Sequence, residues 1–328
     1  MGIPGFCYQV YQEVNRKGLI REGDRIILAL SGGADSVCLF LCLFYMQKLL
    51  SFSLLAFHVI HGIRGEEAEE DAAFANDLAG RFGIPFRLAR VDAPAYAKEE
   101  GLSLEEAARI LRYRKLMKEA EKEEARIAVA HHMEDQAETV LLQLVRGSSL
   151  KGLSGMQSER GRLIRPLLPF HKEEILSFLA EQKQPYRTDS TNLDLSYARN
   201  AVRHKVLPEL CRVNAKATGH IARVAEEMDR TERFLEELTK EAFEKAVFYK
   251  EDLLMLRIAE MKKLPELLKS RVVYKALCET ARRKKDLSDA HVTAVLHLFE
   301  AEGGKRVALP CHMTAERRGK CVLIKREY

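Results

Sequence analysis

Six consecutive residues, Ser31-Gly32-Gly33-Ala34-Asp35-Ser36, set two hydroxyls, two glycines and a carboxylate between two apolar runs. Ile26 to Leu30 before them are nearly all apolar, as in a parallel strand buried on both faces. Val37 to Met46 after them are apolar for about the length of a helix. A strand, a glycine turn and a helix start in succession make an anion site. Glycine lets the backbone come close, and the first helical N–H groups have no partner within the helix. The helix end alone contributes about 0.3–1 kcal/mol to holding an anion, so Ser31, Ser36 and a metal ion must supply much of the rest. Asp35 would repel a phosphate unless a cation stood between them, which makes it a candidate Mg²⁺ ligand. The plain alternative is a strand-to-helix turn with Ser or Asp as its cap.

A second constellation is His131-His132-Met133-Glu134-Asp135-Gln136-Ala137-Glu138-Thr139. On a helix, Asp135 and Glu138 share a face. One would aid a metal while the other receives a substrate ammonium; the alternative is a solvated first turn whose acids favour the dipole. His61 and Arg64 stand in a loop after a strand that contains His58, and are ligand candidates; His58 itself alternates with apolar neighbours, as a packed histidine does. Arg109, Arg112, Tyr113, Arg114 and Lys115 crowd one helix, of which only part reaches a single site. Arg199, Arg203, His204, Lys205, Arg212 and Lys216 make a basic stretch suited to nucleic acid or to a solvated helix face.

The elements that must position these groups alternate. Phe6 to Leu19 reads as a helix lying across a sheet edge. Strands are expected at Ile26 to Leu30, Leu54 to Ile60, Pro85 to Val91 and Arg126 to Ala130. Between them fall helices from Val37, from Glu66 to Phe82 and from the Ser103 capping box towards Lys122; another runs from the His131-His132 turn through Val145. Such alternation implies a twisted parallel sheet flanked by helices, an α/β fold whose ligands sit beyond the carboxyl ends of the strands. The loops at 31–36, 58–65 and 131–138 therefore share one crevice. Arg146 to Gly161 is turn-rich, a helix starts at Lys172, and Asp189 to Asn192 is a polar loop. From about Ala215 a mainly α-helical region follows, with an apolar stripe of Ala217, Ile221, Val224 and Met228. There, Val307 to Leu309 and Cys321 to Ile324 are expected to pair as a short terminal hairpin. The expected domains are 1–214 and 215–328.

At 47% hydrophobic and 31% charged residues the chain is globular rather than disordered. A net charge of +5 admits a polyanion partner without requiring one. The start lacks the basic-then-apolar layout of a secretion signal, and Val37 to Met46 is too short to span a membrane. Seven cysteines without a Cys-x-x-Cys pair argue against a disulfide framework or zinc knuckle. The expected location is the cytoplasm.

Ser-Gly-Gly-Ala-Asp-Ser resembles the pyrophosphate-binding loop of the PP-loop ATP pyrophosphatase superfamily, which has a Rossmann-like fold. With His58-Val-Ile-His-Gly-Ile-Arg-Gly65, Ala108-Arg-Ile-Leu-Arg-Tyr113, His131 to Thr139, Leu144-Val-Arg-Gly-Ser148, Asp189-Ser-Thr-Asn192 and Arg199-Asn-Ala-Val-Arg203, it is similar to the tRNA(Ile)-lysidine synthetase branch. The resemblance covers residues 26 to about 208 and implies ATP-dependent ligation of free L-lysine to C2 of the wobble cytidine of a minor isoleucine tRNA with a CAU anticodon. An adenylated cytidine forms on the way, and AMP and pyrophosphate are released.

It further implies that Ser31, Gly32, Gly33, Ala34, Asp35, Ser36, His61 and Arg64 bind ATP and that Asp35 holds Mg²⁺. Arg112 or Arg64 would stabilise the transition state, Asp135 and Glu138 orient the lysine, and Arg199, Asn200 and Arg203 bind tRNA; the second domain would bind tRNA too. Family members usually have two aspartates after the histidine pair, whereas Glu134 stands first here. Many carry a further C-terminal domain, and these residues are expected to comprise the first two. A homodimer is compatible with the sequence. The nearest rival is a PP-loop tRNA thiolase, which would need sulfur-handling cysteines. A metal phosphohydrolase built on His58, His61, His131, His132 and Asp135 leaves the loop at 31–36 unexplained.

Overall fold

The computed structural model describes residues 2–188, 198–250, 253–281 and 286–326. The polar loop at Asp189 to Asn192 lies outside the described residues, as does Tyr197. The chain divides into two compact units, Met1–Asp229 and Arg230–Tyr328.

In the first unit the elements run α1 (Gly5–Arg16), β1 (Arg25–Ala29), α2 (Ala34–Met46), β2 (Ser53–Ile60), α3 (Glu66–Arg81), β3 (Phe86–Arg90), α4 (Ala93–Glu100), α5 (Leu104–Lys122), β4 (Arg126–Ala128), α6 (Met133–Val145) and α7 (Leu150–Leu153). Then come β5 (Glu159–Arg160), β6 (Leu163–Ile164), α8 (Lys172–Glu181), α9 (Ala198–Ala201), a π-helical turn at Val202–Val206 and α10 (Leu207–Val213). The sheet order is β3-β2-β1-β4-β6-β5, parallel except for β5 against β6. After β3 the chain crosses back to place β4 on the other side of β1. That reversal opens a crevice beside the carboxyl end of β1, where open α/β sheets take their ligands.

The alternation within β1 explains its double burial. Ile26 and Leu28 join one core with α1, α2 and α8, whereas Ile27 joins Phe57, Ile127 and Val129 against Leu116 and Ala120 of α5. Helix α2 is buried almost all round, which suits its unbroken apolar sequence. Helix α1 presents Cys7, Val10 and Val14 to the same core as α2, so it belongs to the helical layer on one face and not to the sheet edge expected for it.

Helix α11 (Ala217–Ala246) carries the chain out of the first unit. The second unit holds β7 (Val247–Lys250), β8 (Leu253–Arg257), α12 (Ile258–Lys263), α13 (Glu266–Ala281), α14 (Asp289–Leu296), β9 (Arg306–Leu309), β10 (Met313–Arg318) and β11 (Cys321–Arg326). Its antiparallel sheet has the order β7-β8-β11-β10-β9. The expected hairpin is thereby corrected, because β10 lies between β9 and β11 and pairs with both. Val247-Phe248-Tyr249 is β-branched and aromatic, a strand signal concealed by its position at the end of a long helical pattern. Leu254, Leu256, Val322, Ile324 and Ala315 bury one sheet face against Val272, Val273 and Leu277 of α13.

Candidate active site

The loop after β1 holds its shape through small side chains. Gly32 has φ of +90° and accepts the backbone N–H of Arg187 at 2.9 Å. A Cβ there would be both strained and 3.4 Å from the Phe74 ring. Ser36 Oγ donates to the Gly33 carbonyl at 2.9 Å, accepts the Ser31 N–H at 3.2 Å and meets Ser31 Oγ at 3.1 Å. Gly33, which has no side chain to offer, is the N-cap of α2. The Ser or Asp cap required by the plain-turn alternative is therefore not made. The first N–H groups of α2, on Ala34, Asp35 and Ser36, have no partner within the helix, and helix starts of this kind are where anions bind.

A cavity of about 270 Å³ opens beside this loop. Ser31, Gly33, Asp35, Ser36, His61, Arg112, Asp135 and Arg203 line it, so the loops after β1, β2 and β4 do converge. His58 also reaches it, but its Nδ1–H donates to the Leu30 carbonyl at 2.7 Å, which fixes the ring as a packed histidine. Among the described residues, His61 Nδ1 is buried without a hydrogen-bond partner. Burial, with Arg112, His58 and Arg64 adding positive charge, lowers the His61 pKa to about 4, so the ring is neutral at pH 7. His131 accepts from Arg165 Nε at 3.2 Å, and burial lowers its pKa to about 3. Arg112 is half-buried beside the Tyr113 ring, 5.6 Å from its centroid, and desolvation pulls its pKa down. Arg64 is not among the cavity-lining residues; it pairs with Asp71 at 3.1 Å.

At the start of α6 the charges are already matched. Glu138 is fully buried and accepts from Arg199 Nε at 2.8 Å, Arg203 Nε at 2.5 Å and Arg203 Nη2 at 2.9 Å. Asp135 accepts from Arg203 Nη2 at 2.9 Å and from the His132 N–H at 3.1 Å. Burial works to raise the Asp135 pKa, but His132, Arg199 and His131 beside it prevail and lower it. Arg199 and Arg203 come from α9 and the π-helical turn, and Asn200 sits between them. The sequence placed these arginines on an RNA path; here their guanidiniums bracket the acidic pair.

The sequence reading gave no role to three participants. Glu134 accepts from His132 Nδ1 at 2.8 Å, His171 Nδ1 at 2.9 Å and the Lys172 N–H at 2.9 Å. Burial opposes its ionisation, yet these bonds hold its pKa at about 2. The bond to Glu134, with the charges of Asp135 and Asp35, raises the His132 pKa against the effect of burial. Arg165, buried beside His131, is the second. Lys172 is the third: its Nζ lies 2.5 Å from Asp35 Oδ1. A lysine as the first residue of α8 opposes the helix dipole, and that was its only trace in the sequence. Among the described residues, no three His, Cys, Asp or Glu side chains gather as a metal-binding group.

A parallel sheet with an uncapped glycine-serine loop at its switch point defines a PP-loop domain, and the family model of that description matches residues 7–210. Within that class, the chain belongs to the tRNA(Ile)-lysidine synthase family. It is 35% identical over 312 residues to the tRNA(Ile)-lysidine synthase of Dehalococcoides mccartyi (strain CBDB1), covering 92% of this chain and 66% of that one. With the tRNA(Ile)-lysidine synthase of Clostridioides difficile (strain 630) it shares 31% identity over 324 residues, 97% of this chain and 70% of that one. The match to the Thermosipho africanus (strain TCF52B) tRNA(Ile)-lysidine synthase is 40% over 235 residues, 71% and 55% of the two chains. The chain thus spans between 55% and 70% of the length of these relatives. Among solved structures, the U34-tRNA thiolase NcsA from Methanococcus maripaludis, with its 4Fe-4S cluster, has a TM-score of 0.58 at 18% identity over 68% of this chain and 79% of that one, a likeness of fold. No helix among the described residues is long and apolar enough to cross a membrane.

Proposed function

We propose that this chain joins free L-lysine to C2 of the wobble cytidine in the CAU anticodon of a minor isoleucine tRNA, using ATP. The uncapped start of α2, facing a cavity that also contains Asp135, carries the reading. In the first step cytidine O2 attacks the α-phosphate, the bond to the β-phosphate breaks, and pyrophosphate leaves. In the second, the lysine ε-amine attacks C2 and AMP leaves.

Ser31, Gly32, Gly33, Ala34 and Ser36 bind the pyrophosphate portion and His61 assists on the ATP side, whereas Arg64, paired with Asp71 and outside the cavity lining, contributes only at the cavity's edge. Asp35 is the Mg²⁺ ligand. A single partly exposed carboxylate fits this ion, which keeps its waters and shares its ligation with substrate phosphates rather than needing a protein cage. When bound, Mg²⁺ neutralises charge on the phosphates. Arg112, enclosed beside the cavity, stabilises charge on the α-phosphate; burial strengthens that effect. Asp135 and Glu138 form the lysine end. Asp135 opens on the cavity and takes an ammonium directly, while Glu138 behind it fixes Arg199 and Arg203. Arg199, Asn200 and Arg203 also flank the path of the unstacked anticodon loop, which must present its base singly.

The reading is tested with purified protein, ATP, Mg²⁺, radiolabelled lysine and unmodified tRNA. Label is expected to enter tRNA with a CAU anticodon and to require ATP. Label that stays out of that tRNA contradicts the reading.

A further inference from the structure

We propose that Lys172 is a pyrophosphate-binding residue of this site and that Glu134 is the residue that positions it. The inference rests on the ATP reading above.

Lys172 comes from α8, far in sequence from the loop at 31–36, yet its Nζ reaches Asp35 Oδ1 at 2.5 Å. The start of α8 is pinned to the start of α6. Glu134 accepts the Lys172 N–H and binds His171 Nδ1, and the Met133 N–H donates to the Phe170 carbonyl at 2.9 Å. The backbone of Lys172 is thereby fixed, while its side chain and that of Asp35 are each about one-third exposed, at 34% and 31%. A fixed root and a wet ammonium are what a phosphate-binding lysine needs. Glu134 is one methylene longer than the aspartate usual at its place, and the added length serves two histidines and a backbone N–H at once.

Asp35 and Lys172 neutralise each other in the free protein. With Asp35 shared with a divalent cation, polyphosphate oxygens would be the natural further partners of the ammonium. As the bond from Pα to the bridging oxygen breaks, its electron pair leaves on pyrophosphate. Lys172 Nζ donates hydrogen bonds to the departing oxygens.

The test measures inorganic pyrophosphate and adenosine binding by calorimetry, with and without Mg²⁺, on the full chain and on Lys172→Met, Lys172→Arg and Glu134→Gln. Lys172→Met should weaken pyrophosphate binding about 10- to 100-fold, the range for one charge-assisted hydrogen bond, and leave adenosine binding within about twofold. Lys172→Arg should recover most of the loss, and Glu134→Gln should fall between. Equal losses for pyrophosphate and adenosine would mark a merely structural lysine and overturn the proposal, as would an unchanged pyrophosphate affinity in Lys172→Met. Wild-type protein that binds neither ATP nor pyrophosphate overturns the underlying ATP reading instead.

Discussion

Helices α2 and α6 both begin at the same cavity, but their first turns are finished differently. The start of α2 has glycine as its N-cap, a residue with no side chain to close it. The start of α6 is closed by its own acids, with Asp135 on the His132 N–H and Glu134 on the His132 ring. Farther along the chain, Ser103 caps α5 in the ordinary way, accepting the Glu106 N–H at 3.2 Å. An uncapped helix start forgoes about 1 kcal/mol of local stability. In the proposed reading the α2 turn is the receptor, and the α6 turn, whose acids are already paired, is the wall that presents Asp135.

Breaking the receptor should cost activity and breaking the wall should cost stability. Asp35→Ala should reduce AMP formation from ATP about 100- to 1000-fold, while tRNA binding measured by filter retention largely survives. Parallel loss of both would remove the distinction between the two turns. Glu138→Ala leaves two guanidiniums without their buried partner and should cost about 3–5 kcal/mol in urea unfolding. A cost near zero would mean that the acidic pair is not structurally committed.

Glu134 sharpens the comparison through pH. Its pKa is lowered in the folded protein from 4.5 to about 2, so the unfolded chain takes up its proton first as acid is added. Its stabilisation is complete above pH 4.5 and disappears as pH falls through about 2. Glu134→Gln should remove about 2–3 kcal/mol at neutral pH and flatten the acid unfolding curve in that interval. An unchanged acid curve would contradict the bracket drawn around Glu134. The smallest effect belongs to Ser103→Ala, which should lower stability by about 1 kcal/mol and leave AMP formation unchanged.

Much of the first unit was legible because its signals are local. The apolar run at Ile26 to Leu30 and the small residues that follow specify strand, turn and helix without outside help. The crevice followed from alternation alone, since parallel strands place their outgoing loops on one side. The second unit was less legible. In β10, Glu316, Arg317 and Arg318 make half of a strand that pairs on both sides, and their charge conceals it. Lys172 and the arginine bracket were hidden for another reason. Each depends on contacts between residues far apart in sequence, 137 positions for Lys172 with Asp35 and 61 for Arg199 with Glu138. Charge runs such as Arg199 to Lys216 look alike whether they face solvent, RNA or a buried carboxylate.

The central claim is that the loop at the start of α2 directs cleavage between the α- and β-phosphates of ATP onto the tRNA. It is tested most directly by a single-turnover quench with ATP labelled at the α-phosphate, CAU-anticodon tRNA and no lysine. The account predicts label on the tRNA, with unlabelled pyrophosphate released in equal amount. Label recovered as ADP, with inorganic phosphate released and the tRNA left unlabelled, would contradict it.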